Sequence, residues 1–135
     1  MKKVYQVEKD NYEDAGKAST DIKRTLKTLG IERKVLKAVA IACYEAEINI
    51  VIHSDGGTVT FEIDDDGLIR LSFDDIGPGI EDLELAQTPG YSTASPKARS
   101  LGFGAGMGLV NMKSVASSFD IRSSKEGTHI YMTFQ

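Results

Sequence analysis

The chain has 135 residues, of which 41% are apolar and 27% are charged, and its net charge is −4. This length and apolar fraction suit one domain with a single core, so we treat residues 1–135 as one unit. Proteins that grip nucleic acid usually present a basic face, so an acidic chain of this kind is not expected to bind nucleic acid directly.

Cysteine content and the chain ends predict the compartment. Cys43 is the single cysteine, so no internal disulfide can form, and a reducing cytoplasm suits the chain. Residues 1–10 contain no apolar segment of the kind that a signal peptide needs. No run approaches the roughly 20 apolar residues of a membrane span. We therefore expect a cytoplasmic protein that does not enter a membrane.

The first half of the chain predicts one strand and two helices. Residues 3–8 alternate between apolar and polar side chains and are typical of a short strand. Residues 12–29 place apolar side chains at helical spacing, and Gly30 is expected to end that helix. A second helix is predicted over 32–53, where the later turns are apolar on nearly every side, as in a buried helix.

The second half predicts two hairpins separated by a long loop and a helix. The predicted strands are 57–63, 68–73, 119–124 and 128–134, a short helix is expected at 81–86, and a longer one at about 107–118. Residues 81–101 form a loop that is long for a compact domain, and such loops often act as lids. The fold class is therefore α+β, a two-layer sandwich of a mixed, mostly antiparallel sheet covered on one face by about three helices.

The predicted buried helix carries a polar stripe. Glu45, Asn49 and His53 follow one another at steps of four, which places them on one side of the helix. An amide oxygen suits a hard cation such as Mg²⁺, and a carboxylate can accept a proton. The alternative is a partly exposed helix edge, with His53 as a core residue at the helix end. Glu47 lies two positions from Glu45 and is expected to point away from the stripe, at the surface.

The segment "GFGAGMGL" could hold an anion. Its glycines leave the backbone N–H groups open, and the following helix adds the partial positive charge of its N-terminus. The dinucleotide pattern G-x-G-x-x-G fails here because Met107 and Leu109 stand where glycine is required, and the chain lacks the Gly-Lys-Ser/Thr of a P-loop. The alternative is a flexible loop.

The stretch "DDIGPGI" offers a carboxylate at the end of a predicted strand. Asp75 could accept a hydrogen bond from an exocyclic amino group such as that of adenine, and Gly77 and Gly79 could let a flat ring lie against the backbone. Asp74 points to the opposite face and is the weaker candidate. Taken alone, this stretch is equally typical of a turn that ends a strand.

The three elements together resemble the GHKL, or Bergerat-fold, ATP-binding superfamily. The resemblance spans residues from about 35 to 135 and rests on "EAEINIVIH", "DDIGPGI", "GYSTASPKARSLGFGAGMGLVNMK" and "GTHIYMTF". Within the superfamily the chain is most similar to the small anti-sigma-factor serine kinases of bacteria. Glu47 departs from the family pattern, which more often has a neutral residue there.

The resemblance implies a role for each site residue. Glu45 would be the catalytic base and Asn49 the ligand of Mg²⁺. Asp75 would bind the adenine amino group with help from Thr128, and Gly77 and Gly79 would floor the base pocket. Residues 81–101 would form the ATP lid. The residues that would contact the phosphates are Tyr91, Ser92, Thr93, Gly104, Ala105, Gly106, Met107, Gly108 and Leu109.

The resemblance also implies the reaction and the partners. The cofactors would be ATP or ADP with Mg²⁺, and the substrate would be a serine of a STAS-type anti-sigma-factor antagonist. Nucleotide state would choose between that antagonist and a sigma factor or another regulator, and the family often forms homodimers. Two alternatives remain: a non-catalytic module whose shape depends on nucleotide, and a stand-alone catalytic domain like that of histidine kinases. The residues before the second helix are too few for a phosphoacceptor module, which makes the last alternative less favoured.

Overall fold

The computed structural model describes residues 1–80, 83–89 and 108–135. Within them the chain forms five strands and four helices, close to the predicted order. Their bounds are β1 (Lys2–Val7), α1 (Lys17–Thr28), α2 (Arg33–His53), β2 (Gly57–Ile63), β3 (Ile69–Asp75), α3 (Leu83–Ala86), α4 (Gly108–Val115), β4 (Ser118–Ser124) and β5 (Gly127–Phe134). None of these helices combines the length and the apolar character that crossing a bilayer requires.

The five strands form one sheet in the order β1-β2-β3-β5-β4. Every neighbouring pair is antiparallel, so the sheet has no parallel pair among the described strands. The two predicted hairpins, β2–β3 and β4–β5, meet through the pairing of β3 with β5. This pairing brings the ends of the two hairpins together, which places Asp75 next to the start of β5.

One face of the sheet is apolar and lies beneath the helices. Phe61, Leu71 and Met132 stand opposite one another across three strands and are fully buried. Their neighbours on the other face, such as Tyr131, are polar or exposed. Because side chains alternate along a strand, only one face needs cover. The core residues that the helices contribute are Ala18, Ile22, Leu26, Val39, Ala42, Cys43, Ala46, Ile50, Leu109 and Met112. The predicted two-layer α+β sandwich is confirmed, and Cys43 is buried within it.

Helix α1 is shorter than predicted. Gly30, with φ of 74°, follows its end as expected, but the helix begins at Lys17 instead of residue 12. Gly16 has φ of 96°, a left-handed conformation that an α-helix does not continue through. The preceding residues therefore lie outside the helix despite their apolar spacing.

The prediction that Glu47 lies at the surface is wrong. Its side chain is only 2% exposed, and its carboxylate accepts hydrogen bonds from the backbone N–H groups of Gly16 (2.9 Å), Ala18 (3.3 Å) and Ser19 (2.8 Å). These are the N–H groups that an α-helix leaves without partners at its first turn. Glu47 does point away from Glu45, but that side of α2 is covered by α1. A carboxylate from one helix thus caps the N-terminus of another.

Glu47→Gln is expected to lower the free energy of unfolding by about 2 kcal/mol. The NH₂ of the new amide is a donor, and it would face backbone N–H groups that now donate to a carboxylate oxygen. Urea unfolding followed by circular dichroism measures this change. The control is Glu32→Gln, at the exposed position before α2, where the side chain caps nothing. Equal urea midpoints for the two variants would contradict the role given to Glu47.

Candidate functional site

Asp75 is the last residue of β3 and is half-buried. The backbone N–H of Thr128 donates to its Oδ1 at 2.8 Å, which binds the end of β3 to the start of β5. Thr128 itself is buried beside it. One carboxylate oxygen is thus held by the sheet, and the other has no hydrogen-bond partner among the residues that the structure describes. The structure brings together the two residues that the sequence assigned to an adenine pocket.

Burial raises the pKa of Asp75 above the usual range of an aspartate. The Thr128 N–H and the His129 ring oppose that shift by favouring the ionised form, whereas the carboxylates of Asp74 and Asp55 add to it. A partly desolvated carboxylate with one fixed hydrogen bond carries a free-energy cost when ionised. Groups perturbed in this way cluster at functional sites.

The two glycines after Asp75 allow the chain to pack against itself. A Cβ on Gly79, where φ is 74°, would overlap the carbonyl oxygen of Ser124. A Cβ on Gly77 would lie 3.2 Å from the backbone nitrogen of Asp55. Glycine is therefore needed at both positions to make room for neighbouring backbone. This is a second reason for the two glycines, beside the space for a flat ring that the sequence suggested. Ile80 closes the loop, since its N–H donates to the Ser123 hydroxyl at 2.7 Å.

A second group of predicted residues meets at the N-terminus of α4. A Cβ on Gly108 would lie 3.2 Å from Glu45 Oε2 and 3.4 Å from Asn49 Oδ1. Glycine at this position lets the first residue of α4 approach both side chains of the α2 stripe. Glu45, Asn49 and Gly108, to which the resemblance gives related roles, therefore lie together. Both side chains are half-buried.

Sequence reasoning missed Asn111. Its side-chain amide lies 3.5 Å from Glu45 Oε1, as a donor to the carboxylate. Asn111 stands three residues after Gly108 on the same helix, and residues at that spacing share a face. The i, i+3 spacing on the predicted helix was the signal that could have identified it.

The other predicted site residues have different positions. The side chain of Leu109 lies in the hydrophobic core, so only its backbone could face a ligand. His53, at the end of α2, is half-buried, and burial lowers the pKa of its ring. Most of the predicted lid, and the predicted phosphate contacts Tyr91, Ser92, Thr93, Gly104, Ala105, Gly106 and Met107, lie outside the described residues.

The described residues offer oxygen donors for a hard cation but no preformed cage. No three His, Cys, Asp or Glu side chains among residues 1–80, 83–89 and 108–135 lie together as a metal site. Glu45 and Asn49 nevertheless place carboxylate and amide oxygens at the same helix N-terminus. Mg²⁺ usually takes one or two protein oxygens and completes its shell with phosphate oxygens and water, so this donor set fits Mg²⁺ held together with a nucleotide.

The amino-acid sequence matches known proteins. A family model described as a histidine kinase-like ATPase domain matches residues 9–134. The anti-sigma F factor of Heyndrickxia coagulans is 34% identical over an 88-residue alignment that covers 61% of this chain and 56% of that protein. The matched segment thus covers little more than half the length of this curated relative.

Two solved structures share the fold. The RsbU and RsbW domains of a Mycobacterium tuberculosis protein superpose with a TM-score of 0.63 at 18% identity, covering 97% of this chain and 32% of that one. The SiaB–SiaC complex from Pseudomonas aeruginosa gives 0.61 at 12% identity, covering 97% of this chain and 88% of that one. At such low identities the two structures establish the likeness of fold alone.

Asp75→Asn is expected to stabilise the ligand-free protein at neutral pH, because it removes a partly buried charge while its amide oxygen can still accept the Thr128 N–H. The folded-state pKa of Asp75 is raised, so the wild type gains stability as the pH falls through that pKa and levels off below the unfolded value of about 3.9. The advantage of the variant should therefore shrink on acidification.

Urea unfolding over a pH series measures this difference. Asp65→Asn, at an exposed turn position, is the matched control for the loss of one surface charge. An Asp75→Asn variant that is less stable than the wild type by the same amount at every pH would contradict the account of this carboxylate.

Proposed function

The chain belongs to the histidine kinase-like ATPase domain family, and we propose that it is an ATP-dependent regulatory serine kinase of the anti-sigma-factor type. The observation that carries the proposal is the meeting of Glu45 and Asn49 with the backbone of Gly108 at the N-terminus of α4. That place combines a proton acceptor, a hard oxygen ligand and a helix end that favours anions.

The base of the nucleotide is proposed to bind at the end of β3. Asp75 has one carboxylate oxygen held by Thr128 and a second that can accept from the exocyclic amino group of adenine. A hydrogen bond to a charged and partly buried acceptor is among the stronger polar contacts in proteins. The hydroxyl of Thr128, the second residue of β5, would complete the edge of this pocket.

The phosphates are proposed to lie over the N-terminus of α4. Asn49 would hold Mg²⁺ through Oδ1, and the ion would neutralise the charge that develops on the phosphates. Gly108 lets the backbone approach because a side chain there would crowd both Asn49 and Glu45. Gly104, Ala105, Gly106 and Met107 precede this helix and are proposed to continue the phosphate contacts, with Tyr91, Ser92 and Thr93 closing over them.

Glu45 is proposed to act as the general base. Its carboxylate would take the proton of a substrate serine hydroxyl as that oxygen attacks the γ-phosphorus. The bond from the γ-phosphorus to the bridging oxygen then breaks, and ADP leaves. The Asn111 amide, 3.5 Å from Oε1, would orient the carboxylate so that Oε2 faces the substrate. Positioned proton transfer of this kind suits phosphoryl transfer, in which positioning supplies most of the rate enhancement.

The proposed substrate is a STAS-type anti-sigma-factor antagonist, and the proposed second partner is a sigma factor or another regulator. Support comes from the likeness to an anti-sigma F factor over 88 residues. Phosphate on a serine adds about −1.5 to −2 charge, which is enough to disrupt a docking surface. A homodimer and a cytoplasmic location are part of the same proposal. The competing function is a module that binds nucleotide and captures partners without transferring phosphate.

Asp75→Asn is expected to weaken ATP·Mg²⁺ binding by about 10- to 100-fold, because the amide can present NH₂ to the adenine amino group in place of an acceptor. Isothermal titration with ATP and Mg²⁺ measures this loss. Asn49→Ala should instead reduce the dependence of binding on Mg²⁺. Unchanged affinity in Asp75→Asn would discredit the base pocket.

Glu45→Gln is expected to slow phosphoryl transfer by about 10²- to 10⁴-fold while ATP still binds, because the amide cannot accept the hydroxyl proton. The assay incubates the protein with labelled ATP and a STAS-domain protein from the same genome, and Glu32→Gln serves as the control. Acid-stable label on the partner supports a serine kinase, and acid-labile label indicates a histidine acceptor. Tight ATP binding with no transfer by the wild type would favour the non-catalytic module.

A further inference from the structure

A chain of hydrogen bonds runs from the loop after β3 to the proposed base pocket. The N–H of Ile80 donates to Ser123 Oγ at 2.7 Å, and Ser123 Oγ lies 2.8 Å from Thr128 Oγ1. Ser123 and Thr128 are opposite one another in the β4–β5 pairing, so their side chains stand on the same face of the sheet. Thr128 then donates its own backbone N–H to Asp75.

The first bond of this chain determines the direction of the second. Since Ser123 Oγ already accepts the Ile80 N–H, its own proton needs an acceptor, and Thr128 Oγ1 is the one that the described residues provide. In the reverse arrangement Thr128 would donate to Ser123, and Ser123 Oγ would accept two hydrogen bonds. The Ser123 proton would then have no acceptor among the described residues. A half-buried hydroxyl without an acceptor loses a hydrogen bond, so the direction from Ser123 to Thr128 is favoured.

We propose that Ser123 is a positioning residue that fixes the Thr128 hydroxyl as a hydrogen-bond donor and thereby sets the preference of the pocket for adenine. Once Thr128 Oγ1 accepts from Ser123, its own proton turns away from β4. Asp75 presents an acceptor beside this donor. This inference rests on the proposed nucleotide site and adds to it a residue that no sequence motif marks.

The resulting acceptor–donor pair matches one purine and opposes the other. Adenine presents its 6-amino group as a donor and N1 as an acceptor, which suits Asp75 and Thr128 in that order. Guanine presents the reverse, an acceptor at O6 and a donor at N1. A fixed donor on Thr128 would face the N1 proton of guanine, so two donors would meet and neither would have an acceptor. Polar groups left unpaired in this way disfavour the binding of guanine. Contact with N1 is direct or through one bridging water.

The matched variants are Ser123→Thr and Ser123→Val. They add the same methyl group in a strand that accepts β-branched side chains, but only threonine retains the hydroxyl. The probes are ATP and 1-deaza-ATP, each with Mg²⁺, because 1-deaza-ATP lacks only the N1 acceptor. Calorimetric titration of both nucleotides with the wild type and each variant gives a preference ratio that a general change in stability does not alter.

The wild type and Ser123→Thr are expected to prefer ATP over 1-deaza-ATP by about 3- to 10-fold, the size of one hydrogen bond. Ser123→Val should lower that preference, because Thr128 keeps its hydroxyl proton but β4 no longer directs it toward N1, while the affinity for 1-deaza-ATP stays close to that of the wild type. If the added methyl group prevents folding, Ser123→Ala removes the same hydroxyl without adding volume and is expected to give the same loss of preference.

Equal weakening of both nucleotides in Ser123→Val would overturn the inference and leave Ser123 as a structural residue. A wild type that binds ATP and 1-deaza-ATP equally well would also overturn it, since Thr128 would then not read N1. In both cases the proposed nucleotide site stands. A wild type that binds neither nucleotide would overturn the proposed site and this inference together.

Discussion

Helix α2 determines the arrangement of the site because its polar side chains bind a helix on either side. Glu47 accepts hydrogen bonds from three backbone N–H groups at the start of α1. Glu45 and Asn49, on the opposite side, face the start of α4 at Gly108. Both neighbouring helices thus direct their partial positive N-termini toward acidic or amide groups of one buried helix. A carboxylate buried in this way must be paired, which leaves little freedom in how the helices pack.

The sheet supplies the other half of the site through a single hydrogen-bonded contact. The pairing of β3 with β5 brings Asp75 to Thr128, and their bond of 2.8 Å holds the carboxylate in place before any ligand arrives. Gly127, the residue before Thr128, allows the two strands to approach closely enough for this contact, because a Cβ there would overlap the carbonyl oxygen of Asp75. The proposed nucleotide therefore has its base on the rigid sheet and its phosphates at a helix end.

The sequence predicted the helices and strands well where spacing carried the information. Alternation gave both hairpins, and the step of four from Glu45 to Asn49 correctly placed both side chains on one side of α2. It failed for Glu47, because periodicity tells which way a side chain points but not whether another helix lies there. Asn111 and Ser123 were missed because each contributes through a neighbour in space, and their roles depend on hydrogen bonds that only the folded chain forms.

The most direct test of the account is a crystal structure of the protein with Mg²⁺ and a non-hydrolysable ATP analogue. The account predicts the exocyclic amino nitrogen of adenine within hydrogen-bonding distance of the Asp75 carboxylate, and the metal bound to the side-chain oxygen of Asn49. An analogue bound at another place would contradict it. So would a site beside Asp75 filled by the protein's own side chains, with no space for a ring.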